Sequence, residues 1–158
     1  MDMTSRLQPN FDLFCKDLGQ LLAKFGFPPK IRKANSCFMQ TTNAGVVGIF
    51  VLKRFHPDGE AWVEIRVAAR NDYVEENLKS INYYNSKIKM TWTFGIELSE
   101  IRDENRSFLD KYCKKFTSPY YKLWYDTVPG DIRILAGEAF GHIEKYGWPY
   151  LRDNALTD

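Results

Sequence analysis

The sequence is poor in the residues that disulfide frameworks, metal sites and much of catalysis require: of 158 residues, three are cysteine and two are histidine. Cys15, Cys37 and Cys113 are odd in number and far apart, which argues against a disulfide framework or a CxxC metal knuckle and fits a reducing compartment. Cys15 and Cys113 each fall on the apolar stripe of an expected helix, where a free thiol acts as a small hydrophobe. Long hydrophobic runs are also missing. The longest, Ala44 to Leu52, includes Gly45 and Gly48 and is about half the length of a membrane-spanning helix, so it reads as a buried strand. Met1 to Asn10 contains Asp2 and Arg6 and lacks the apolar stretch of a signal peptide. A cytoplasmic location without membrane contact is therefore expected.

Charge of one sign is in short supply too. Lys and Arg number 22 against 20 Asp and Glu, a net charge of +2, too small to argue for nucleic acid by itself. The ten glycines never gather into a phosphate cradle, and Walker loops, GxGxxG turns, serine nucleophile elbows and HExxH are all absent. No cofactor is expected. With no repeat, low-complexity tract or linker, residues 1–158 read as one domain.

What remains is an ordinary globular composition, 44% hydrophobic and 27% charged, with a rich 15% of aromatic residues. Phe11, Phe14, Cys15, Leu18, Leu21, Leu22 and Phe25 recur at helical spacing after Pro9 and a candidate Asn10 cap, and Gly26, Pro28 and Pro29 stop the helix. Ile31 to Thr41 and Val46 to Phe55 read as a hairpin turning about Asn43 and Ala44. His56-Pro57-Asp58-Gly59 then suits a type I turn followed by a left-handed glycine. That turn sets the next register: Val51, Ile49 and Val47 face Ile65, Val67 and Ala69 on one side, with Phe50 opposite Arg66 and Arg54 opposite Trp62 on the other.

Asn71 and Asp72 can cap a short helix containing Val74, Leu78 and Ile81. Met90, Trp92, Phe94, Ile96 and Leu98 alternate with polar residues as in a half-buried strand. A further helix is expected from Asp103, with Phe108, Leu109, Tyr112, Cys113 and Phe116 as its stripe, and Tyr120 to Tyr125 suits an edge strand. The final helix places Ile132, Leu135, Ala136, Ala139, Ile143 and Tyr146 on a face that should pack on the sheet, with Asp131 as its cap, Gly147 at its end and Pro149 preventing continuation. The fold class is α+β: a mainly antiparallel sheet of four to five strands, with N- and C-terminal helices on one face.

Three segments, Phe25-Gly26-Phe27, Trp92-Thr93-Phe94-Gly95-Ile96-Glu97-Leu98 and Ile143-Glu144-Lys145-Tyr146-Gly147-Trp148-Pro149-Tyr150-Leu151, resemble a bacterial family of small α+β proteins catalogued as a domain of unknown function. Some of its genes lie near contact-dependent or polymorphic toxin systems, so the resemblance implies an immunity-like protein. Its motifs are apolar, aromatic and turn residues, which report a fold better than a function, and it brings no catalytic residues.

Candidate chemistry is sparse. His56, Asp58 and Glu60 could bind a metal or share a proton, yet turn geometry already accounts for Pro57-Asp58-Gly59 and no third ligand is visible. His142, one turn after Glu138, reads as a solvated pair. Lys30, Arg32, Lys33, Lys53 and Arg54 gather at the open end of the first hairpin, either as a solvated edge that Glu60 and Glu64 neutralise in part or as a contact for nucleic acid or an acidic protein. Tyr120, Tyr121, Trp124 and Tyr125 either close the core or form a recognition surface, since tyrosine and tryptophan dominate interface hot spots. The leading expectation is a non-enzymatic module that binds an unidentified protein, a toxin or effector, through Tyr120, Tyr121, Trp124, Tyr125, Arg32, Lys53 and Arg54. The alternatives are a small metal-dependent or acid-base hydrolase centred on His56 and a nucleic-acid-binding module.

Overall fold

The computed structural model describes residues 3–31, 36–55, 61–80, 92–98 and 121–155. Helix α1 covers Met3–Leu22 and tightens into a 3₁₀ turn at Ala23–Phe25. Strands β1 (Cys37–Thr42), β2 (Gly45–Phe55) and β3 (Ala61–Asn71) follow, then helix α2 (Asp72–Ser80), β4 (Phe94–Glu97) and β5 (Tyr121–Lys122). Helix α3 (Pro129–His142) runs through a π-helical turn (Ile143–Gly147) into α4 (Trp148–Ala155).

The sheet is antiparallel throughout, in the order β1-β2-β3-β4, with β5 also on β3. Thr42 pairs with Gly45, which leaves Asn43 and Ala44 as the turn. The β2–β3 register is the one the sequence predicts: Val47, Ile49 and Val51 oppose Ala69, Val67 and Ile65, with Phe50 against Arg66 and Arg54 against Trp62. A strand alternates its faces every residue, so a slip by one would carry this apolar set to the opposite side. The six apolar residues are all buried. The proposed turn, His56 to Gly59, lies outside the described residues, as does the helix expected from Asp103.

α1, α3 and α4 share the core with the inward face of β2 and β3, so the N- and C-terminal helices lie together on one side of the sheet. α1 begins earlier than the sequence suggests, with Pro9 inside it. An interior proline removes one helical hydrogen bond. Burial of Leu7 and Phe11 on either side of it holds the extra turn in place against that cost, at about 1.5–3 kcal/mol for each fully buried apolar side chain. Asn10 is accordingly no cap. Gly26 stops the 3₁₀ turn at φ 83° and returns its N–H to the carbonyl of Ala23 at 3.0 Å, a left-handed conformation that glycine adopts without steric cost.

The C-terminal helix also departs from expectation. Val128 precedes it, Pro129 occupies its first turn and Asp131, expected as the cap, stands inside that turn, where a carboxylate still favours the positive end of the helix. Its buried face of Ile132, Ala136 and Ala139 meets mainly α1, leaving Leu135 half-buried; contact with β2 and β3 comes from α4. Gly147 and Pro149 do not end the helix. The π turn rearranges the hydrogen-bonding ladder, and Pro149 falls at the second residue of α4, where a missing N–H is tolerated. A Cβ on Gly147 would stand 3.1 Å from Val67 Cγ1 and 3.3 Å from Leu98 Cδ1, so glycine lets the π turn lie close to the sheet.

The late strand is shorter than its alternation suggests. Phe94 and Ile96 pair against Ala69 and Val67, but Trp92 leaves the pattern and sets its ring edge-on to Phe50 at 5.3 Å, over Gly48 on the other face. Met90 lies outside the described residues. Asn71 does cap α2, its Oδ1 accepting from Val74 N at 3.2 Å. Segments Phe25–Phe27, Trp92–Leu98 and Ile143–Leu151 meet in space: Phe25 stacks on Trp148 at 4.5 Å, Phe27 sits edge-on to the same ring and Gly147 abuts Leu98.

Candidate functional site

The surface of interest forms at the sheet end where β2 finishes and β3 begins. Phe55 pairs with Ala61, Trp62 with Lys122, and Leu123 N donates to Ala61 O at 3.3 Å. These contacts bring the aromatic segment after Tyr121 and the basic end of β2 to the same end of the sheet, on either side of β3. The first turns of α1 join these two candidate regions of the sequence.

β5 divides its residues between the two sides of the sheet. Tyr121, opposite the core residue Val63, is itself buried, and its hydroxyl lies 2.6 Å from His142 Nδ1. Tyr121 is therefore a core residue that ties β5 to α3, and half-buried His142 faces it instead of lying on an open polar face. Past β5 the chain makes a four-residue turn, Trp124 to Thr127. Thr127 N donates to Trp124 O at 3.2 Å, and Trp124 N donates to Thr127 Oγ1 at 2.9 Å. The turn displays Trp124 at 39% and Tyr125 at 56% exposure, and Val128 extends the apolar patch.

α1 clamps this turn. Asn10 Nδ2 approaches the carbonyl oxygens of Trp124 at 2.6 Å, Tyr125 at 3.1 Å and Thr127 at 3.4 Å. All three partners are acceptors, so the amide nitrogen is the atom facing them. One helical turn earlier, the Arg6 guanidinium stands 5.8 Å from the centre of the Tyr125 ring. On the opposite flank of α1, Lys53 Nζ donates to Gln8 Oε1 and lies 5.0 Å from the centre of the Phe11 ring. Gln8 Nε2 donates in turn to Asp12 Oδ1 at 2.7 Å.

Arg54, expected as a contact residue, points to the other side of the sheet and is exposed there. Its Nε donates to Glu64 Oε2 at 2.9 Å, while Arg66 Nε donates to Glu64 Oε1 at 2.6 Å. Burial works to raise the Glu64 pKa, but the hydrogen bonds and charges of Arg54 and Arg66 outweigh it and hold the carboxyl below its ordinary value. The bond to Glu64 raises Arg54 in return. Cys15 is a buried thiol pushed up to about 12, by burial first and then by the charge of Asp12, so it remains protonated and unreactive at neutral pH.

Among the described residues, no three His, Cys, Asp or Glu side chains come together as a metal site would need. Tyr120, Arg32 and the His56-Asp58-Glu60 trio lie outside the described residues. Arg6, Gln8 and Asn10 were not legible as site residues, because Arg6 and Gln8 precede the helix the sequence predicts and Asn10 reads as its cap, whereas α1 begins at Met3. No family model, curated protein or solved structure matches the chain.

Proposed function

We propose that the chain is a non-enzymatic protein-binding module whose contact surface is the end formed by the first turns of α1, the end of β2 and the Trp124–Thr127 turn. The observation that carries this reading is the Asn10 clamp. Large exposed aromatics on a free loop lose conformational entropy when they bind, and a turn already held by three carbonyl contacts from a helix has lost much of it beforehand. Trp124 and Tyr125 offer large apolar contact area with polar tips, and Arg6 adds a cation at their side; these are the residue types in which interface hot spots are enriched. The finer reading, an immunity-like bacterial protein that neutralises a toxin or effector by occluding it, rests on the resemblance of the three packed segments.

Hydrogen exchange on the chain alone and on the chain bound to a captured partner tests this. Protection is expected to fall on residues 121–128 and the first turns of α1. Protection confined to α2 and the Asn43–Ala44 turn, at the far end of the sheet, would contradict it.

A further inference from the structure

We infer that the partner brings carboxylates to Arg6 and Lys53, the two cations flanking the first turns of α1 beside the Trp124–Thr127 turn. This deepens the protein-binding reading and rests on it. Elsewhere on the chain, positions such as Lys24 with Glu144, Arg54 and Arg66 with Glu64, and Arg70 with Asp72 show cations directly neutralised. Other cations, such as Lys145 over the Tyr146 ring, lack an ion pair among the described residues; Arg6 and Lys53 are two that flank the proposed contact surface. Each is positioned by an aromatic ring, Tyr125 for Arg6 and Phe11 for Lys53, and neither makes an ion pair among the described residues. An ammonium has three donors, of which Gln8 takes one; a guanidinium has five, and among the described residues Arg6 has only the ring contact. Gln8 also keeps the nearby carboxylate at a distance, since its amide stands between Lys53 and Asp12. Both charges are thus oriented and carry donors that an incoming carboxylate could accept from.

The same surface disfavours nucleic acid. Asp12 and Asp126 are exposed within it, and a phosphate backbone carries a charge every few ångströms that cannot avoid them. Arg6 and Gln8, two residues apart on a helix, point to nearly opposite flanks, so the two cations stand on either side of α1, on the order of 10 Å apart. Discrete acidic side chains on a folded surface or a peptide can meet both and leave Asp12 and Asp126 untouched.

The test uses the full chain with three probes: a random Glu–Tyr copolymer, a Gln–Tyr copolymer of the same length and a thymidine oligonucleotide, each followed by amide and indole NMR shifts. The Glu–Tyr copolymer should move Arg6, Lys53 and the Trp124 indole, bind at least about tenfold more tightly than the Gln–Tyr copolymer, and weaken as salt shortens the screening length. Arg6→Gln with Lys53→Gln should abolish that preference, and Arg6→Lys with Lys53→Arg should restore it. Equal binding of the two copolymers at Trp124 would overturn the acidic-partner inference and leave the protein-binding reading standing. Absence of Glu–Tyr binding, or tighter oligonucleotide binding lost in the same Gln variants, would also overturn the inference. Copolymer shifts confined to residues away from Trp124 and Tyr125 would overturn both.

Discussion

The side-chain amide of Asn10 donates to the carbonyl oxygen of Trp124 at 2.6 Å, across 114 residues of sequence. It also reaches the carbonyls of Tyr125 and Thr127, so a single position on α1 fixes the turn that precedes α3. Asn10→Ala removes the donor and leaves carbonyls that water can reach. A cost of about 0.5–1.5 kcal/mol in global stability is expected, the net value of one ordinary hydrogen bond. The local effect should be larger: exchange of the Thr127 amide should accelerate beyond what the global change explains. Unchanged exchange at Thr127 would show that the turn holds itself.

Two glycines on neighbouring helices should respond to alanine with opposite signs. A Cβ on Gly19 would stand 2.1 Å from the carbonyl oxygen of Pro29 and 2.9 Å from the Phe38 ring, so the backbone after α1 must move. Gly19→Ala should destabilise by about 1–3 kcal/mol or more, as overpacking does. Gly137 is exposed within α3 with nothing within 4 Å of the same position, and Gly137→Ala should stabilise by about 0.5–1 kcal/mol through helix propensity. Denaturation midpoints of the two variants decide it: a Gly19→Ala variant as stable as the wild type would contradict the close approach of α1 to Pro29, and a destabilised Gly137→Ala would contradict the open surface at that position.

These contrasts mark what the sequence could and could not reveal. The β2–β3 register was legible because burial of Val47, Ile49 and Val51 against Ala69, Val67 and Ile65 leaves one self-consistent alignment. The stripe of Ile132, Ala136 and Ala139 was legible for the same reason, but its partner was not, since periodicity says which face is buried and not what covers it. Pro9 and Pro149 misled because local rules place proline at helix boundaries, while tertiary burial of Leu7 and Leu151 draws both turns into helix. Trp124 and Tyr125 were visible as interface residue types. Tyr121 carries the same signal and is core, a difference set by its place opposite Val63. Asn10 read as a cap because its carbonyl partners lie at the far end of the chain.

Glu64 should govern part of the acid limit of stability. Its carboxyl is held below the ordinary 4.5 in the fold and titrates near that value in the unfolded chain. Between the two values the unfolded state binds more protons, so stability falls as pH falls. The contribution is complete above about pH 4.5 and is lost as pH drops through the folded value. Glu64→Gln should lower the denaturation midpoint at pH 7 and flatten its decline below pH 4.5. An unaltered acid limb would mean that the Arg54 and Arg66 contacts contribute nothing in solution.

The most direct test of the central claim compares capture of a native partner by three forms of the chain: the wild type, Trp124→Ala and Tyr73→Ala. Tyr73 is 76% exposed on α2, at the opposite end of the sheet from the Asn10-clamped turn, and serves as an aromatic truncation of similar kind in the wrong place. With all three shown to be folded, the account predicts that Trp124→Ala loses at least about 2 kcal/mol of binding, the threshold of a hot spot, and that Tyr73→Ala binds as the wild type does. Full binding by Trp124→Ala with loss in Tyr73→Ala would contradict it.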